Sequence, residues 1–259
     1  MKQKIKKIIA KFWPARYRTG VLILNYHSVN PNHEFSTKPA DFGAQMKYVA
    51  ENFQVIRLKD VYSPDLKGLN LVISFDDGFS DNYQYAYPIL KKYNLKATIF
   101  LVSDFIINNL DITKDWAPYH GLAPLKLEEI KEMSDSGLID FGSHGKTHDQ
   151  VSSFSQERLR NELIESKQKI EQIVNKSIDC YAFPFGQKKQ RGDFSMDFFA
   201  SLGFKQVCTT DWGINKNLSS SCFLKRIRID AADSLLDFRR KIAGRWDFVK
   251  LFQYLRNIK

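Results

Sequence analysis

Leu71-Val72-Ile73-Ser74-Phe75-Asp76-Asp77-Gly78 decides the fold. The first five residues are apolar almost without alternation, which reads as a strand buried on both faces, as in a parallel sheet covered by helices. Two adjacent carboxylates and a turn-forming glycine then mark its carboxyl end. Working outward, similar runs predict strands at 21–26, 54–57, 97–102, 138–142, 179–183, 205–209 and 223–228. Helix-length patterns separate them at 40–53, 80–93, 126–136, 156–175, 195–202 and 232–243. Strands alternating with helices define an α/β fold. Seven or eight such units predict closure into a barrel, with a doubly wound open sheet as the alternative. The stretch 104–125, with Trp116, Pro118, His120, Gly121 and Pro124, reads as a long surface excursion.

The chain has 259 residues, which suits one large α/β domain. Its cysteines are Cys180, Cys208 and Cys222. The odd number and the lack of a CxxC spacing argue against both a disulfide framework and a zinc–thiolate site. The net charge is +10, yet residues 1–20 hold seven basic residues and no acid. The last 22 residues add seven more against Asp247 alone, so the body between is slightly acidic. Charge gathered at the ends, not along a groove, argues against nucleic acid as a partner. Ile5, Ile8, Ile9, Phe12 and Trp13 share one helix face, with lysines on the others. Ile242, Trp246, Val249, Phe252 and Leu255 repeat the pattern. Such helices either pack on the body or lie in a membrane interface. No secretory leader and no spanning helix are recognisable, so a cytoplasmic protein is expected, with peripheral contact to the inner face of the membrane through its basic ends.

Four segments at predicted strand ends carry the chemistry, because parallel barrels place their sites there. In Asp76-Asp77 the two carboxylates can divide roles, one holding a metal and the other taking a proton; a capped Asp-Gly turn is the plain alternative. His144 and His148, four apart after the strand ending Phe141, can converge on one ion, and otherwise they are surface histidines. Two imidazoles and one carboxylate would leave a coordination position open for water. Tyr181-Ala182-Phe183-Pro184-Phe185-Gly186 could present backbone N–H groups and an apolar wall, or be a plain strand end. Asn25-Tyr26-His27-Ser28 ends the first strand with a histidine suited to acid–base work, although a lone histidine is commonly structural.

In this order, SFDDG (74–78), KLEEIKEMSDSGLIDFGSHGKTH (126–148) and YAFPFG (181–186) resemble the polysaccharide deacetylase, or NodB-homology, family, carbohydrate esterase family four. The resemblance runs from about residue 21 to residue 230. It implies a distorted (β/α)7 barrel and hydrolysis of N-acetyl, or sometimes O-acetyl, groups on sugars. It further implies Asp76 as general base and Asp77, His144 and His148 as ligands of one divalent ion, zinc first, with Co, Ni or Mn as alternatives. The Phe185 N–H would stabilise the oxyanion. Two departures stand out. Ala182 occupies the place of an arginine that positions the base, and no histidine follows His148 to serve as the late acid. Both also occur in the branch containing the biofilm poly-N-acetylglucosamine deacetylases, with a FAYPYG-like third motif and an acid from an N-terminal Tyr-His pair. Tyr26-His27 matches that pair, which makes His27 the candidate acid.

The sequence thus predicts a basic amphipathic helix (1–20), a deacetylase domain (21–230) and basic C-terminal helices (231–259). The expected reaction is metal-dependent removal of an N-acetyl group from a sugar or oligosaccharide of a surface polysaccharide or its lipid-linked precursor. Tyr26, Phe183, Pro184 and Trp212 are the expected substrate contacts, with Trp212 and the aromatics around Phe183 to Phe185 suited to an acetyl-methyl pocket. The competing readings are an O-acetyl esterase or other amide hydrolase on the same scaffold, and an inactive sugar-binding member.

Overall fold

Among the described residues there are eight strands, most of them separated by helices: β1 (Gly20–Tyr26), β2 (Gln54–Val55), β3 (Leu69–Phe75), β4 (Ala97–Leu101), β5 (Ile139–Ser143), β6 (Cys180–Ala182), β7 (Gln206–Trp212) and β8 (Leu224–Arg228). The computed structural model describes residues 3–108, 110–112, 119–218 and 221–258; Trp116 and Pro118 of the expected excursion lie outside the described residues. Seven strands close a parallel barrel in the order β1-β3-β4-β5-β6-β7-β8. Leu24 against Ile227 and Asn25 against Arg228 complete the ring. The eighth, β2, pairs only with Asn70 and Leu71 at the start of β3 and stands outside the closure. A single registered pair, Ser143 with Tyr181, joins β5 to β6, so the barrel is distorted there.

The strands are nearly all apolar because both their faces are covered. Val21, Ile23, Val72, Phe100, Cys180, Ala182, Cys208 and Leu224 fill the barrel interior. Leu22, Leu24, Leu71, Ile73, Ile99 and Phe141, at alternate positions, pack outward under the helices. The interior is tight at Gly142, where a Cβ would come within 2.6 Å of Cys180 Sγ and 2.7 Å of Phe100.

On the outside lie α1 (Gln3–Phe12), α2 (Pro39–Asn52), α3 (Tyr87–Lys92), α4 (Ser103–Ile107), α5 (Leu127–Asp135), α6 (Gln156–Val174), α7 (Lys188–Arg191), α8 (Met196–Ala200), α9 (Leu235–Ile242) and α10 (Val249–Ile258). The helix expected at 80–93 forms as a π-helical turn, Asn82–Ala86, running into α3. Part of the expected surface excursion is not at the surface. Tyr119 is buried, and Ser80 N–H bonds Ala123 O while Leu125 N–H bonds Gly78 O, fastening the returning segment to the turn after β3.

Both terminal helices pack on the body. Lys7 of α1 pairs with Asp237 of α9 at 2.7 Å, and Ala10 is fully buried. In α10, Gln253 accepts from Trp212 N–H (2.8 Å) and donates to Thr210 O (3.0 Å), tying it to β7. Among the described residues no helix is long and apolar enough to cross a membrane.

Candidate active site

Asp77, just past β3, stands between two imidazoles. His144 follows β5 directly, and His148 lies four residues on; their Nε2 atoms sit 3.4 and 3.2 Å from Asp77 Oδ1. All three side chains are buried, and one ligand atom from each lies within 4.8 Å of the others. The hydrogen-bonding pattern says what this cluster needs. His144 Nδ1 donates to Ala182 O at 2.8 Å, so the neutral ring turns an Nε2 lone pair toward the carboxylate. Neither Asp77 oxygen receives a well-formed hydrogen bond. Lone pairs facing lone pairs in a buried site require a proton or a cation between them. When a proton fills that place, Asp76 and Asp77 hold the His144 pKa above its ordinary value against the opposing effect of burial. Two imidazoles and a carboxylate at these separations also fit a divalent ion such as zinc.

The backbone is bent to make this arrangement. Among the described residues six non-glycine residues adopt positive φ, and three of them are asparagines, which tolerate it. The other three are Asp77 (74°), His148 (64°) and Phe185 (60°), all at the site. Strain concentrated in this way has to be held by its surroundings. Glu162 of α6 provides one such hold: its Oε1 accepts from Lys146 N (2.9 Å), Thr147 N (2.7 Å) and Thr147 Oγ1 (2.9 Å), gripping the loop between the two histidines. Thr210 Oγ1 donates to Phe185 O at 2.7 Å, fixing the turn after β6.

Asp76 points into the barrel. Ala182 stands where the resemblance puts the arginine that positions the base, so that usual partner is missing. Arg226 of β8 supplies a cationic partner from another side of the barrel. Its Nη1 and Nη2 donate to the two Asp76 oxygens at 2.6 and 2.8 Å, and its Nε donates to Thr209 O at 2.9 Å. Asn25 adds a bond to Oδ2 at 3.0 Å. Burial would raise the Asp76 pKa, but the Arg226 and His144 charges hold it below the ordinary carboxylate value. A sequence signal for Arg226 did exist. In Leu224-Lys225-Arg226-Ile227 it shares the inward face with Leu224, and an arginine inside a barrel needs an acid.

His27, just beyond β1, lines the same cavity as Asp76, His144, His148, Phe185 and Trp212, a space of about 390 Å³. Its ring stacks on Tyr119 at 5.4 Å and 7°. Burial pushes its pKa down to about 4, against the pull of Asp77 and Asp76. The segment carrying it is moored by Asn82, which donates to His27 O at 2.9 Å, and by Asp81, which accepts from Ser28 Oγ and Val29 N. Phe185 lies 4.9 Å from the His148 ring, forming a wall of the cavity.

Of the four expected substrate contacts only Trp212 lines this cavity. Tyr26 turns outward, stacks on Phe75 and donates to Gln45 Oε1 at 2.7 Å. Phe183 is sealed in a cluster with Tyr181, Phe199 and Phe223, and Pro184 is buried against Gly145. Alternation explains the misplacement of Tyr26 and Phe183: on β1 the inward residue is Asn25, and on β6 it is Ala182.

Comparison with known proteins places this barrel and its site in a family. The profile of the family described as Polysaccharide deacetylase matches residues 65–207, more than half of the chain. The chain belongs to that family. YxkH of Bacillus subtilis (strain 168) is 27% identical over 213 residues, covering 80% of this chain and 70% of its own. The poly-beta-1,6-N-acetyl-D-glucosamine N-deacetylase of Staphylococcus aureus (strain MSSA476) is 26% identical over 198 residues, 64% of this chain and 65% of that protein. This chain therefore corresponds to a little under two thirds of the staphylococcal protein. Among solved structures, BC0361, a polysaccharide deacetylase from Bacillus cereus, superposes with a TM-score of 0.69 at 25% identity, over 87% of this chain and 69% of the other. His27 and Arg226 both fall outside the matched region 65–207.

Proposed function

We propose that the protein hydrolyses the N-acetyl group of an N-acetylated sugar, in a surface polysaccharide or its lipid-linked precursor. The observation that carries this reading is the pairing of two different carboxylate environments at adjacent residues. Asp77 faces two imidazoles and receives no well-formed hydrogen bond, whereas Asp76 is clamped by a bidentate arginine beside an open cavity. A divalent ion held by Asp77, His144 and His148, zinc by preference, would polarise the acetyl carbonyl and acidify the attacking water.

The chain's own groups do the rest. Asp76 takes the water proton as the carbonyl is attacked, its two oxygens oriented by Arg226 and Asn25. The Phe185 N–H, presented by the positive-φ turn, steadies the developing oxyanion. His27 hands a proton to the departing amine. Because burial holds its pKa near 4, it enters the cycle neutral, and the proton it delivers is the one Asp76 has taken from the water, passed on before the C–N bond breaks. Trp212 supplies an apolar wall for the acetyl methyl.

The staphylococcal relative supports a poly-N-acetylglucosamine-like glycan as the substrate class, within the branch that combines an N-terminal Tyr-His with an arginine-free third motif. The test is acetate release from N-acetylated and O-acetylated oligosaccharides by metal-reconstituted protein. Release from the amide substrate, lost in Asp77→Asn, supports the proposal. Release confined to the esters would replace it with an esterase, and none from either would leave a sugar-binding protein.

A further inference from the structure

We propose that α1, α9 and α10 together form a docking face for an anionic lipid bilayer, set beside the mouth of the cavity. The proposal stands apart from the deacetylase reading, since it concerns a surface and not the chemistry. Among the described residues twelve large apolar side chains are exposed, and nine belong to these three helices. On α1 the inward face holds Ile9, Ala10 and Lys7, and the stripe left in solvent is Ile5, Ile8 and Phe12, the last 84% exposed. That inverts the usual surface helix, whose outward face is polar. On α10 the exposed set is Leu251, Phe252, Tyr254 and Leu255, and on α9 it is Leu235 and Leu236. A concentration of this kind on a water-soluble surface marks a contact.

The helices are held as one unit. Arg245 donates to Lys11 O (3.2 Å) and Trp13 O (3.0 Å), and the Trp13 and Phe248 rings lie 5.6 Å apart. Lys6 of α1 and Phe252 of α10 line the same cavity, so both helices border the catalytic mouth. Charge selects the occupant. Lys4 and Lys11 flank the α1 stripe and Arg239 is exposed on α9. Neither α1 nor α10 contains an acid, and the one acid of α9, Asp237, is buried and paired with Lys7. Apolar side chains ringed by unopposed cations suit an interface of acyl chains under anionic headgroups. Two copies of the chain would instead oppose like charges across such a face.

The test is flotation of the full chain with vesicles of phosphatidylcholine, alone or with about one third phosphatidylglycerol. Binding to the anionic vesicles only, weakening as salt rises, is expected. Ile8→Ser/Phe12→Ser and Leu251→Ser/Leu255→Ser should each reduce it at least tenfold while leaving the circular dichroism and melting temperature as in wild type. Lys4→Glu/Lys11→Glu offers an independent variant that removes only the charge selection. No flotation, or flotation equal in wild type and all variants, overturns the proposal. So does a light-scattering dimer that the same substitutions convert to monomer, which would make a second copy the occupant.

Discussion

At the scale of single residues, the informative contrast lies between neighbours. Asp76 and Asp77 are chemically identical and adjacent, yet one is bonded by three donors and the other by none of good geometry. Their substitution should separate binding from turnover. Asp76→Asn is expected to keep stoichiometric metal and lose kcat by about 10²–10⁴, the usual contribution of a general base. Asp77→Asn should lose metal and activity together. Wild-type turnover in metal-loaded Asp76→Asn would remove the base assignment. Arg226→Met tests the clamp. Leaving Asp76 buried without its cation should cost about 3–5 kcal/mol of stability by thermal or urea unfolding, and Arg226→Lys, which cannot reproduce the fork, should recover only part of it. Local spacing made Asp77, His144 and His148 legible, because each lies within a short motif at a strand end. Arg226 lies 150 positions from Asp76 and is joined to it only by barrel closure. No local pattern reports that contact, although the inward parity of Arg226 on its strand implies an acid somewhere opposite.

At the scale of elements, apolar runs predicted every stave of the barrel, since a strand covered on both faces has little freedom in composition. The same runs could not say that β2 stands outside the ring, because membership depends on how far β3 extends past it. They could not say which face an aromatic takes at a strand's end, so the outward turn of Tyr26 and Phe183 is not legible in them. The loop between His144 and His148 shows how an element is held in a conformation its own sequence resists. Its stiffness comes from Glu162 on α6, through three bonds to one oxygen. Glu162→Ala should therefore weaken metal affinity by about 10–100-fold, as loss of supporting hydrogen bonds does at metal sites. Glu162→Gln, which keeps an accepting oxygen, should stay close to wild type in a chelator-competition titration. Equal affinities in Ala and wild type would show that the loop holds its shape unaided.

At the scale of the whole molecule, stability reports on groups that the chemistry does not use. Asp81 ties the segment after β1 to the segment after β3, accepting from Ser28, Val29 and Asn82. Burial nonetheless dominates and pushes its pKa up to about 6, because the surrounding donors only partly offset the loss of water. The sign follows from linkage. Between pH 4 and pH 6 the folded state holds a proton on Asp81 that the unfolded chain has released, so the contribution to stability falls as pH rises through that window. It is complete below about pH 4 and gone above about pH 6, a span of about 3 kcal/mol from a shift of about two units. Other carboxylates titrate over the same range, so the useful quantity is a difference. Relative to Asp81→Asn, the wild type should lose unfolding free energy between pH 4 and pH 7 by up to that amount, measured by urea denaturation at fixed ionic strength. Parallel curves for the two proteins would mean that the Ser28–Asp81 bond keeps the carboxylate charged, and that the loop carrying His27 is moored by an ion instead of an acid.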